Sequence, residues 1–281
     1  LVLGAITGSL EELPGLLVMI PAAIGLRGNI FAAFGNRLST ASHLGTLRFT
    51  TNRRSLLGQN VAATIVLTLV LSAAFAVLAK VVSSGLGLTG TASWTTLTVV
   101  SVVGGVLSSL VVLGASILLA LGANRFGWDL DNLVAPVVST LGDVMTLPAL
   151  WLAVFAVGHG RADDVLGIAL VVLAAAALVW SLRSGLAILT EIMRQSLPVL
   201  VVAGILSTLA GVVVEKRLGV LVAVPVLLVV FPAFTSSAGA LGGGDGLGRA
   251  RRIWAVDHGR HRRIRHDLGQ RRDYPHGLRR R

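Results

Sequence analysis

The chain has 281 residues, 54% of them hydrophobic and 13% charged, which is about half the charged share of an ordinary soluble domain. Its formal net charge is +11, and it has no cysteine, which excludes a disulfide framework, a thiolate zinc site and thiol catalysis. It opens Leu1-Val2-Leu3-Gly4 with neither an initiator Met nor a basic leader, so it is expected to be a fragment whose start lies upstream.

Seven apolar runs follow in chain order: Leu13 to Ala33, Val61 to Val81, Leu97 to Leu121, Leu133 to Val157, Val165 to Leu182, Leu197 to Val214 and Leu218 to Phe234. Each approaches the ~20 residues that a helix needs to cross the hydrocarbon of a bilayer. The expected fold class is therefore all-α, a polytopic transmembrane helical bundle with about seven spans. The 36–60 loop carries Arg37, Arg48, Arg53 and Arg54, and the positive-inside rule places it in the cytoplasm. Counting spans puts 122–132, 183–196 and the C-terminal tail on the same side, and 83–94 and 159–164 outside.

The first run ends in an unusual stretch, Pro21 to Thr40, where Pro21, Gly25 and Gly28 interrupt apolar sequence and Arg27 and Asn29 lie within it. Polar groups at membrane depth usually face a bundle interior or a water-filled path. Gly and Pro beside them free backbone carbonyls, which is tolerated where irregular backbone lines a cavity. The competing reading is a lipid-facing helix that ends at Arg27, with that side chain snorkelling to the interface.

In the third run Ser101, Gly105 and Ser109 recur every four residues, spacing that lets helix backbones approach closely and reads as packing. The fourth run holds Ser139, Thr140, Gly142, Asp143 and Thr146. Ser139, Asp143 and Thr146 share one helical face, and Asp143 lies near the middle of the span. An intramembrane carboxylate is a functional-site hypothesis by default. Joined by the hydroxyls of Ser139 and Thr140, it suits a hard cation such as Mg²⁺, which takes oxygen ligands and keeps several waters. The alternative is a carboxylate paired with an arginine of another helix, such as Arg27. Asp129, Asp131 and Asn132 precede this span and read equally as a helix N-cap or as a cation-gathering vestibule.

The chain also repeats itself. Phe231-Pro232-Ala233 and the glycine seven residues after that proline align with Ile20-Pro21-Ala22 and Gly28, each set preceded by an apolar helix. Internal repeats mark transporters, with the site expected where repeats meet.

Together, Pro21, Gly25, Arg27-Gly28-Asn29, Arg37-Leu38-Ser39-Thr40, Pro136 and Ser139-Thr140-x-Gly142-Asp143 resemble the membrane domain of the MgtE family of magnesium transporters, in its two-repeat, solute-carrier-41-like form. The resemblance implies five helices per repeat and a cation path between two repeats or two protomers. It also implies an acidic ion ligand on the last helix of a repeat, a place that Asp143 occupies. Gly28 and Asn29 match the family's glycine-asparagine segment. The resulting division is 1–158 as a first repeat with an incomplete N-terminal helix, 159–190 as a linker transmembrane helix, 191–243 as a partial second repeat opened by Arg194 to Pro198, and 244–281 as a basic tail. The tail holds twelve arginines, four histidines and no lysine, and the change at Gly243 is abrupt. A shifted reading frame in GC-rich DNA is the expected origin, and a polybasic segment lying on anionic lipid is the alternative. Without a stacking aromatic pattern it is not expected to bind nucleic acid.

The expected function is movement of a divalent cation, Mg²⁺ first, across the cell membrane, passive and driven by the potential. A carrier coupled to Na⁺ or H⁺ and a non-transporting truncated remnant are the alternatives. No nucleotide-binding motif is present, so neither a pump nor an enzyme is expected, and no organic cofactor. The expected partners are the lipid bilayer, the cation and a second copy of the chain as a homodimer.

Overall fold

Long runs of Leu, Val, Ala and Ile in hydrocarbon leave backbone amides no partner but one another, and a helix is the local solution. A computed structural model describes residues 16–47, 50, 52, 54–85, 92–127, 130–158 and 160–216. They form α1 (Leu16–His43), α2 (Leu56–Gly85), α3 (Trp94–Phe126), α4 (Leu130–Val154), α5 (Arg161–Arg183) and α6 (Ala187–Lys216). All six are long and apolar enough to cross a membrane, and there is no strand among the described residues. The described residues thus hold six of the about seven expected spans. The seventh run, Leu218 to Phe234, lies outside the described residues, as do the second copy of the Pro-Ala repeat and the 244–281 tail.

α1 is the centre of the bundle and packs against α2, α3, α4 and α6. Inside its span 67% of residues are buried, against 17% in α5, which packs along α2 and α3 at the periphery. Near its start Val18, Met19 and Ile24 join Ala76 of α2, Val100 of α3, Leu150 of α4 and Val212 of α6. Near its end Phe31, Phe34 and Leu38 pack with Leu57, Val112 and Val138. Lipid tails are as apolar as these side chains, so close van der Waals contact rather than expulsion from water holds the helices together.

Small residues set that closeness. A methyl group on Gly211 of α6 would stand 2.4 Å from the Val18 carbonyl oxygen, and one on Gly204 would stand 2.1 Å from the Phe75 ring. Gly104 of α3 meets the Leu150 backbone of α4 in the same way, at 2.9 Å. The stripe of Ser101, Gly105 and Ser109 does pack, as its spacing predicts. It faces α2, where Ser101 Oγ donates to the Ser72 carbonyl at 2.8 Å and the Ser109 and Thr68 hydroxyls meet at 3.1 Å.

Two expectations about the chain's path change. α1 is continuous through Pro21, Gly25 and Gly28 and runs on to His43. Its glycines therefore serve close approach, with Gly25 facing Ser207 of α6, rather than a break in the helix. α6 begins at Ala187 and passes through Pro198, so most of the expected 183–196 loop is helix. The polar residues Glu191, Arg194 and Gln195 hid that start from a reading based on apolar runs. Its first turn is held by a distant side chain: Gln59 Oε1 accepts from the Ile188 and Leu189 amides at 3.1 and 3.2 Å. That contact puts the α1–α2 and α5–α6 connections at the same end of the bundle.

Candidate ion site between α1 and α4

Ser139 and Asp143 fall one above the other on α4 through their i, i+4 spacing, and both are half-buried. The surface opposite is Gly28 of α1. A methyl group added there would stand 2.9 Å from Asp143 Oδ1 and 3.4 Å from Ser139 Oγ. One residue away the helices keep ordinary packing distance, since a methyl on Gly142 would lie 3.6 Å from the Arg27 backbone. Absence of a side chain at Gly28 is what admits the carboxylate. Both residues sit near the middle of their helices, far from either end.

Among the sequence-predicted site residues, the structure brings Gly28, Ser139 and Asp143 together. Asn29 and Thr140 lie beside them on the exposed surface of the same two helices, not in the contact itself. Asp131 is in the first turn of α4, and its side chain lies outside the described residues. Thr146, expected on the same face as Asp143, is buried, and its hydroxyl donates back to the Gly142 carbonyl at 2.6 Å. The partner wall of Asp143 is α1, while α3 packs against α4 through Gly104 and Leu150.

The snorkelling reading of Arg27 fails, because this side chain is only 2% exposed and the helix continues well past it. Its guanidinium points away from α4 into the seam between α2 and α3. There Nη2 donates to Ser72 Oγ at 3.0 Å, and Nε is buried without a hydrogen-bond partner among the described residues. Gly105 makes room for it, since a methyl there would stand 2.3 Å from Nη2. Sequence spacing identified the Ser101–Gly105–Ser109 stripe but not that it cradles a cation. Ser72 and Thr68, spaced i, i+4 on α2, are the signal that would have exposed this polar seam. Gln59 was likewise missed, because a single amide in a loop-like stretch carries no pattern.

The arrangement offers a carboxylate, a hydroxyl and a glycine-lined gap at mid-helix, with an amide and a second hydroxyl on the adjoining surface. These are hard oxygen donors. Among the described residues no three His, Cys, Asp or Glu side chains cluster to form a metal cage. Such a sparse oxygen set matches a cation that keeps most of its own waters.

Comparison with known proteins agrees with this chemistry. The family model described as "MgtE: Divalent cation transporter" matches residues 20–153. Two curated relatives, solute carrier family 41 member 3 from Mus musculus and from Rattus norvegicus, are 28% and 29% identical over 145 residues. That alignment covers 50% of this chain but only 29% and 30% of theirs, so the chain spans under a third of the length of the curated relatives it matches. No solved structure matches the chain. The matched region holds α1 to α4 and, with them, Gly28, Asn29, Asp131, Ser139, Thr140 and Asp143. Residues 20–153 of this multi-pass membrane protein thus match the family model of an MgtE divalent cation transporter domain.

Proposed function

We propose that the protein conducts Mg²⁺, or a divalent cation of similar chemistry, along a path that passes Asp143. The observation that carries this reading is the mid-helix carboxylate seated against Gly28, with Asn29 and Thr140 exposed beside it. Exposed polar groups at that depth are costly against lipid, so they call for a facing wall of protein or a water-filled path. A second repeat spanning 191–243, related to the first about an axis along the membrane normal, would supply that wall, and so would a second copy in a homodimer. In either case the ion would meet the Asp143 carboxylate, the Ser139 and Thr140 hydroxyls and the Asn29 amide through its water shell. With the 36–60 end in the cytoplasm, an inward-negative potential of 100 mV contributes about 5 kcal/mol to entry of a divalent ion, and no fuel is needed.

Mg²⁺ uptake by proteoliposomes under an imposed potassium diffusion potential tests this. Uptake should rise with the inside-negative potential and persist without a Na⁺ or H⁺ gradient. Uptake that requires either gradient would establish the coupled carrier in its place. Equal Mg²⁺ entry into protein-free vesicles would mark the chain as a non-transporting remnant.

A further inference from the structure

A cavity of about 350 Å³ opens at the end of the bundle where α1 finishes and α2 and α6 begin. Its walls include Arg37, Thr40 and Leu44 of the α1 end, Leu56 and Asn60 of α2, and Ile188 of α6. Arg37 is the charged residue in this lining. Its Nε donates to Asn60 Oδ1 at 2.6 Å, while Asn60 Nδ2 donates to the Leu56 carbonyl, so the guanidinium is held in place from behind. Its Nη2 is buried and has no hydrogen-bond partner among the described residues. A buried guanidinium nitrogen left unsatisfied is costly, and its fork matches the oxygens of a phosphate.

We infer that this cavity binds the phosphate of an anionic membrane lipid. The fixed positive charge disfavours a cation, which separates this cavity from the Asp143 site. Beside the polar Asn36, Thr40 and Thr46, the walls include Ala41, Leu44, Leu56 and Ile188, an apolar share that suits the glycerol and first acyl carbons of a lipid better than a free hydrated anion. The position fits, because the lining comes from the ends of three helices long and apolar enough to span, where such helices would meet the headgroup layer. Basic pockets between spanning helices are a recognised setting for lipid headgroups. An occupant would clasp α1, α2 and α6 together, beside the Gln59 contact that already caps α6.

Thermal unfolding of the full chain in detergent tests this, with added phosphatidylglycerol, phosphatidylcholine or inorganic phosphate. Phosphatidylglycerol should raise the midpoint by several degrees, and the other two should leave it in place. Arg37→Gln should abolish the rise, and so should Leu44→Glu, which sets a carboxylate at the rim on a side chain already 71% exposed and so spares the fold. Arg54→Gln, an exposed arginine at the same end but outside the cavity walls, should keep it. An equal rise in Arg37→Gln and Leu44→Glu, or an equal rise with inorganic phosphate alone, overturns the inference.

Discussion

Gly28 on α1 and Asp143 on α4 are complementary: the carboxylate occupies the space that a side chain at Gly28 would fill, its Oδ1 2.9 Å from where a methyl would stand. Gly28→Ala is therefore expected to displace the carboxylate while leaving the helices packed. The half-saturating divalent concentration for uptake should rise about tenfold, equivalent to about 1.4 kcal/mol of lost interaction. The unfolding midpoint should hold or rise slightly, because Ala in a helix interior is favoured over Gly by about 0.5–1 kcal/mol. A parallel titration of uptake and unfolding separates the two effects.

Gly211→Ala should act in the opposite way. Its new methyl would meet the Val18 carbonyl at 2.4 Å, a backbone atom that cannot swing aside, so α6 must move off α1. A loss of about 1–3 kcal/mol is expected in detergent unfolding. Gly114→Ala is the matched control, since nothing lies within 4 Å of its methyl, and it should be neutral or mildly stabilising.

The Gln59 clamp predicts a local effect. Gln59→Ala removes the acceptor for the Ile188 and Leu189 amides and should cost about 1–2 kcal/mol, the range of a lost helix cap. Hydrogen exchange at those two amides should accelerate, while exchange in the middle of α3 stays unchanged. Gln59→Glu keeps an acceptor and should lose less.

Arg27 and Ser72 form a coupled pair. Ser72→Ala strips the guanidinium of its described acceptor in a buried seam and should cost about 1–3 kcal/mol. Arg27→Met replaces the cation with an apolar chain of similar length and should cost less, because buried charges are dear to hold. The double substitution should then be no worse than Ser72→Ala alone, a non-additivity that a double-mutant cycle in unfolding free energy reads directly.

Much of this was legible because polar groups are rare in such a chain. Asp143 and Gly28 stand out from apolar surroundings, and helical spacing correctly placed Ser139 on the face of Asp143. Spacing gives faces within one helix, however, and does not say which helices meet. For that reason the α1–α4 contact, the turning of Arg27 into the α2–α3 seam and the exposure of Asn29 and Thr140 came only from the structure. Thr146 shows the limit within a helix: its face was right, but its hydroxyl satisfied the Gly142 carbonyl four residues back. Helix ends were misplaced where polar residues continued a helix beyond its apolar run, as Asn36 to His43 and Ala187 to Ser196 do. The Gly204, Ser207 and Gly211 stripe of α6 was readable from its small-residue spacing and stayed hidden behind the more visible Pro198.

The central claim is that a divalent ion passes the Asp143 carboxylate. Mg²⁺ uptake into proteoliposomes, compared between the unaltered protein and Asp143→Asn at equal protein content, tests it most directly. The substitution keeps side-chain size beside Gly28 and removes only the charge, so folding should be retained. Uptake should fall to the protein-free background in Asp143→Asn. Equal uptake by the two proteins would contradict the assignment.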